Sequence, residues 1–204
     1  MTSPREAILV VAATTRELAP AEGWRTLVCG VGPVEAAAET AAAIAAARPR
    51  AVLHVGIAGA RRASGLVPPA LVIGTAAHYT DLAIPASWAP SVLEPEAWVV
   101  AAAQRALPSA VCRAIGTSAR VGGTIGRPIG ATAGGTTRDI EVEAMEGFAV
   151  LRAARLAGVP ALEVRAISNA IEETDRTRWA FDAAFAAIVA ATPRLVAEVA
   201  ACVN

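Results

Sequence analysis

The sequence contains no lysine: its 18 basic residues are all arginine. That absence excludes Schiff-base and pyridoxal chemistry, which need an amine, and the phosphate-binding loop that ends in Gly-Lys-Ser/Thr. Histidine and cysteine are almost as scarce. His54 and His78 do not cluster with Cys29, Cys112 and Cys202 at metal-ligand spacing, and three well-separated cysteines form neither a metal site nor a disulfide framework. Each cysteine reads as a small core residue, and His54, inside VLHVGIAG, as a packed strand residue. No metal and no cofactor is called for.

Net charge is also missing. The 18 basic residues balance 18 acidic ones without a basic block to follow a phosphate backbone, so nucleic acid is not an expected partner. Hydrophobic residues make up 55% of the chain, yet no uninterrupted apolar run reaches the length of a membrane span, roughly 20 residues. No membrane association is expected. The start, MTSPREAILVVAATT, enters an apolar β-like run at once and lacks the three regions of a signal peptide, which points to the cytoplasm. A chain of 204 residues is expected to form one domain, 1–204.

What is present is alternation. Short β-branched or apolar runs alternate with alanine-rich stretches of helical length, the pattern of an α/β protein: a three-layer α/β/α arrangement around a central, mostly parallel mixed sheet. Strands are expected at 7–14, 26–31, 51–58, 70–77, 110–119, 139–143 and 161–168. Gly32-Pro33 opens a helix over VEAAAETAAAIAAA, with Glu35 and Glu39 in its early turns where the dipole favours them. A second helix is expected after Met145, with Met145, Phe148, Ala149, Arg152 and Leu156 on one stripe. The last is expected to run from about Asp175 to the carboxyl end, with Trp179, Phe185, Ile188 and Val189 on another. The Pro/Gly-rich stretches 59–69 and 122–135 read as surface loops over a site.

The turn GVGPVEA has some glycines of a dinucleotide-binding loop, but Glu35 replaces the third, and a carboxylate there repels a pyrophosphate. A plain tight turn fits better. The stronger constellation has four parts: VVAATTREL (10–18), GVGPVEAA with HVGIAGA (30–37 and 54–60), VEAMEG (142–147) and EVRAISN (163–169). Three of the four end an expected strand, where open α/β sheets build their sites. These motifs, in this order over nearly the whole chain and least clearly from about 83 to 110, resemble the nucleoside phosphorylase/nucleosidase superfamily. Within it, MEGFAV, ISN and DRTRW resemble the futalosine hydrolase branch rather than the methylthioadenosine/adenosylhomocysteine nucleosidases.

The resemblance implies hydrolysis of an N-glycosidic bond, with release of hypoxanthine from futalosine in menaquinone biosynthesis. Glu17 matches the water-activating glutamate, a role that suits a carboxylate beside an oxocarbenium-like sugar. Glu146 matches the acceptor for the ribose hydroxyls, Met145 packs on the sugar, and Arg165 lies near water and sugar. A buried arginine also reads as one half of an internal ion pair. Asn169 stands where the methylthioadenosine branch has a proton-donating aspartate; its amide is suited to N7 and a 6-oxo group together, although it is also able to serve adenine. Gly59 belongs to the same glycine-rich strand end, and apolar Ile57 replaces a serine, which favours hydrolysis over phosphorolysis. Arg176, Arg178 and Trp179 are candidates for the aromatic carboxylate of futalosine, or simply a charged first helical turn. Tyr79 and Asp81 fall in the segment that borders the sugar, and Glu141 and Glu143 receive no role. The expected partner is a small nucleoside, in a homodimer or higher homo-oligomer. Two other readings stand beside this one: a methylthioadenosine/adenosylhomocysteine nucleosidase, disfavoured by Asn169 and Ile57, and a noncatalytic purine-nucleoside sensor, disfavoured by Glu17 with Glu146.

Overall fold

The computed structural model describes residues 3–123 and 140–203. Among these, eight strands share one sheet: β1 (Ile8–Ala12), β2 (Arg25–Val28), β3 (Ala51–Ala60), β4 (Leu71–Tyr79), β5 (Val92–Leu93), β6 (Val111–Thr117), β7 (Val142–Ala144) and β8 (Ala161–Ala170). Four α-helices connect or follow them: α1 (Pro33–Ala47), α2 (Ala97–Ala106), α3 (Gly147–Leu156) and α4 (Phe181–Ala200).

The two-residue period of β1 explains the layers. Ile8, Val10 and Ala12 belong to the core shared with α2 and α4, while Leu9 and Val11 belong to the core shared with α1 and α3. The same parity runs along β8, where Leu162, Val164 and Ala166 enter the α2/α4 core. The intervening Glu163 and Arg165 are buried as charges on the opposite face. Helices therefore cover both faces, as the alternation of the sequence implies.

The sheet is mixed and mostly parallel. Pairs β1–β2, β1–β3, β3–β8, β4–β6 and β6–β7 are parallel, and β3–β7, β4–β5 and β4–β8 antiparallel. It is not simply open, however. The pairings β3–β8–β4–β6–β7–β3 close a ring, and a third cluster, including Ala58, Val72, Ile115, Val142 and Ile167, draws on all five of those strands.

Several element expectations need correction. The segment 83–110 carries β5 and α2, neither of which was expected. In α3, Phe148 and Ala149 are buried with Val150, Leu151, Ala153 and Ala154, but Leu156 is exposed and ends the helix away from the core. The last helix starts at Phe181 rather than near Asp175. Asp175 instead closes a short 3-10 turn, Arg176–Arg178, by accepting hydrogen bonds from Thr177 N and Oγ1 at 3.0 and 2.6 Å. Ala180 N then bonds back to the Ser168 carbonyl at 2.8 Å. That bond pulls the chain against β8 and separates Trp179 from the helical stripe. Although α4 is long and apolar enough on average to cross a bilayer, Ala184, Ile188, Leu195, Val196 and Val199 pack into the α2/α4 core. Of the cysteines only Cys29 is fully buried; Cys202 is exposed near the carboxyl end.

Candidate active site

The ends of β1, β3 and β8, with the start of α3, surround a cleft of about 430 Å³, within the range of small-molecule sites. Its lining includes Glu17, Ile57, Gly59, Met145, Glu146 and Asn169 from the sequence motifs, together with Arg176 and Trp179.

Glu17 is placed by its own turn. Thr14 caps the short 3-10 helix Thr15–Glu17 that follows β1, and Glu17 closes a capping box on it. One carboxylate oxygen accepts from Thr14 N at 2.8 Å and Thr14 Oγ1 at 2.9 Å; the other accepts from the Ile57 amide at 3.1 Å. The Ile57 backbone thus fixes the carboxylate while its apolar side chain lines the cleft.

Beneath Glu17 lies Gly56 of β3, and the site requires that glycine. A Cβ there would fall 2.1 Å from Arg165 Nη1 and 2.7 Å from Glu17 Oε1. Gly59, three residues on, pairs with Asn169 of β8 on one side and Glu143 of β7 on the other. A Cβ at Gly59 would approach Asn169 Nδ2 to 3.1 Å.

Arg165 does not line the cleft; it is 1% exposed and stands behind it. Its Nε donates to Glu163 Oε1 at 2.8 Å and its Nη2 to Glu146 Oε2 at 3.4 Å, with His54 Nε2 also in hydrogen-bonding contact with Nη2. Burial opposes the charge of Arg165, but Glu163, Glu146 and Glu17 outweigh it and hold the group firmly ionised. Burial, then the neighbouring guanidinium, pushes His54 well below the usual imidazole range. The neutral ring is satisfied by donating Nδ1–H to the Val11 carbonyl at 3.1 Å and accepting at Nε2.

Glu146 precedes α3 and reaches across to the turn after β2, where Gly32 N donates to its Oε1 at 3.1 Å. Gly30 and Gly32 both have positive φ, and this is the tight turn read from the sequence. Its amide serves an internal carboxylate instead of a ligand phosphate. Burial raises Glu146 above the usual carboxylate value, with Arg165 and the Gly32 amide opposing and Glu17 and Glu163 adding to the rise. Cys29 nearby is pushed up to about 12, chiefly by burial and then by Glu146, so its thiol is inert.

Asn169 is 6% exposed, with a fixed amide orientation. Its Nδ2 donates to the Ala170 carbonyl at 2.8 Å, and the Ser168 hydroxyl lies 2.8 Å from Oδ1. One N–H and one oxygen lone pair remain for a ligand. That is one N–H fewer than a pair of bonds to N7 and a 6-oxo group would use.

The two arginines of DRTRW part company. Arg176 lines the cleft with its guanidinium 5.7 Å from the Trp179 ring, and Trp179, Phe181 and Phe185 form a continuous aromatic wall. The indole is held by a 3.0 Å bond from Nε1 to the Glu173 carbonyl. Arg178 turns into a second depression of about 380 Å³, which shares Ser168 and Asn169 with the cleft, and lies between Glu173 and Asp175. Tyr79 is also outside the cleft lining: its ring stacks on Phe148 at 5.3 Å, against the α1/α3 core. Asp81 accepts from Ala119 N at 2.6 Å.

Site residues not found from the sequence include Phe181 and Phe185 of the aromatic wall and two acids. Glu143 lines the cleft and accepts from Gly122 N at 2.6 Å; its position just before Met145-Glu146 was a signal, but an acid there also suits a helix start. Glu163 is the other, and the alternation Glu-Val-Arg on a buried strand marks it. The loop expected over the site at 122–135 lies outside the described residues beyond Gly123.

Comparison with known proteins places the fold. Residues 25–201 match the family model of the Phosphorylase superfamily. The chain is 36% identical over 195 residues to a futalosine hydrolase of Streptomyces coelicolor, covering 85% of this chain and 79% of that protein. The chain belongs to this superfamily. Its fold is that of a methylthioadenosine/adenosylhomocysteine nucleosidase from Colwellia psychrerythraea solved with adenine, at TM-score 0.76, 18% identity and 94% coverage of both chains. It is also that of the Helicobacter pylori futalosine hydrolase, at TM-score 0.74 and 16% identity, covering 94% of this chain and 96% of that one.

Proposed function

We propose that this protein hydrolyses the N-glycosidic bond of futalosine, releasing hypoxanthine and dehypoxanthine futalosine, a step of menaquinone biosynthesis. The observation that carries the reading is that one cleft joins Glu17, Glu146 and Asn169 to Arg176 and an aromatic wall. The first three suit a purine nucleoside, and the rest suit an aromatic carboxylate attached to its sugar.

In this mechanism Glu17 takes a proton from water as the water oxygen bonds to the anomeric carbon and the bond to the purine breaks; the purine leaves as its anion and takes a proton from solvent, to which Glu17 returns its own. The three donors on Glu17 hold it in place, so little reorganisation accompanies the transfer. Glu146 accepts hydrogen bonds from the ribose hydroxyls, with Met145 against the sugar. Asn169 offers its remaining N–H to the N7 and O6 edge of the base. An amide is not a proton-donating acid, which suits hypoxanthine, whose oxo group shares the departing charge. Arg176 rather than Arg178 receives the substrate carboxylate, because Arg178 is already turned to Glu173 and Asp175.

Water is favoured over phosphate because the described cleft lining carries three carboxyl groups, Glu17, Glu143 and Glu146, against one guanidinium, Arg176. A dianionic nucleophile meets repulsion there. We place the activity in the cytoplasm, in a homo-oligomer. The test is release of hypoxanthine from futalosine by the purified protein with and without phosphate. Equal rates and a free sugar are expected; a sugar 1-phosphate product overturns the hydrolase assignment.

A further inference from the structure

Glu163 is a buried acid that the mechanism above does not use. It lies two residues before Arg165 on β8, so both side chains stand on the same face of the strand. Glu163 is 1% exposed; its Oε1 accepts from Arg165 Nε, while its Oε2 is buried without a hydrogen-bond partner. A Cβ on Gly147 would fall 2.0 Å from that Oε2 and 2.2 Å from the carboxyl carbon. The carboxylate is therefore seated against the first residue of α3. Two alternate residues of β8 meet two consecutive residues of the Met-Glu-Gly motif: Glu163 meets Gly147, and Arg165 meets Glu146.

This arrangement fixes a side chain that is otherwise free to turn. A guanidinium presents its donors in a rigid plane, so holding Nε also sets where Nη2 points. With Nε on Glu163, Nη2 is delivered to His54 and to Glu146. We propose that Glu163 is a positioning residue of the site: it holds Arg165 in the orientation that restrains Glu146, and it competes with Glu146 for the same buried positive charge. The inference rests on the reading of Glu146 as the ribose anchor.

The groups around Glu146 come from five elements. They are Glu17 after β1, Cys29 and the Gly32 amide after β2, His54 on β3, Glu143 on β7, and Glu163 and Arg165 on β8. Cys29, pushed up to about 12, keeps its proton where a carboxylate titrates, while burial and the neighbouring Arg165 disfavour protonation of His54. Burial, then the charge of Glu17 and to a smaller extent that of Glu163, raise Glu146 above its ordinary value of 4.5. Neutralising Glu163 makes Glu146 easier to ionise.

The test measures futalosine binding by calorimetry against pH in a Glu17→Gln background, in which turnover of bound substrate is slowed. Affinity is expected to fall on acidification as Glu146 takes up a proton. Adding Glu163→Gln, which keeps an acceptor for Arg165 Nε but not the charge, is expected to move that fall to lower pH. Adding Glu163→Asp, which keeps the charge but shortens the reach, is expected to leave the pH of the fall unchanged and weaken binding about tenfold at neutral pH. A purely structural role would lower thermal stability in both without separating them. An unmoved acid limb in a folded Glu163→Gln protein overturns the proposal, as does unchanged affinity in Glu163→Asp; if the glutamine variant does not fold, the aspartate arm decides. Absence of futalosine binding at any pH, or unchanged affinity at neutral pH after Glu146→Gln, overturns instead the reading on which the proposal rests.

Discussion

Replacing Glu17 with Gln separates the chemistry of the site from its architecture. The wild-type carboxylate accepts at both oxygens, from the Thr14 amide and hydroxyl at one and the Ile57 amide at the other. An amide has only one oxygen. If that oxygen serves Thr14, the new NH2 faces the Ile57 N–H; if it serves Ile57, the NH2 faces the Thr14 N–H, and only the Thr14 hydroxyl is able to turn and accept. Either way one buried backbone donor loses its partner, at a cost of roughly 1–3 kcal/mol. For a chain of this size that corresponds to a fall in Tm of roughly 2–12 °C. The catalytic effect is of a different order, because loss of the general base slows turnover by roughly 10²–10⁴-fold. The assay is hypoxanthine release at 25 °C, with thermal melting of the same samples and calorimetric titration of futalosine. A large loss of kcat with folded protein and retained binding is expected. Near-normal turnover in a folded variant would refute the assignment of Glu17 as the base.

Three further substitutions examine other parts of the site. Asn169→Asp is expected to lower the ratio of kcat/KM for futalosine to that for its 6-amino analogue about fivefold to hundredfold, since a carboxylate offers no N–H to the oxopurine. The carboxylate would also confront the Ala170 carbonyl that now accepts from Nδ2 at 2.8 Å, so some loss of stability should accompany the change; an unchanged ratio removes Asn169 from contact with the six-position. Arg176→Ala is expected to cost roughly 10- to 100-fold in kcat/KM for futalosine through a lost charged hydrogen bond. Arg178→Ala, 72% exposed in its side chain, should stay within about twofold, and steady-state kinetics showing the reverse order would exchange the two assignments. Gly56→Ala should destabilise the fold by about 3 kcal/mol or more, read by denaturant unfolding, because its Cβ meets Arg165 at 2.1 Å and that side chain has no room to move; an unaltered midpoint would refute the packing argument.

Much of the scaffold was legible because it depends on local periodicity. The alternation in AILVV sends side chains to two cores, and Gly32-Pro33 starts α1 at the expected residue, since both effects act within a few residues of chain. Glu17, Glu146 and Asn169 were singled out instead by the resemblance of their motifs to a superfamily, and all three line one cleft. Other features depended on partners far along the chain. The Asp175 turn and the bond from Ala180 to Ser168 displaced the start of α4, and so moved Trp179 from an expected core stripe to the cleft wall. Arg176 and Arg178, indistinguishable as letters, were separated by the direction of one short turn and by the acids waiting on one side of it. Tyr79 went to the α1/α3 core because Phe148 lay there to stack on it. Local pattern thus carried the two-faced layering and most of the strands, but not β5 or α2. Tertiary structure added the distant partner: Glu163 pairs with Arg165 along its own strand, but Glu146 reaches the same guanidinium from the start of α3, and together they offset the cost of burying it.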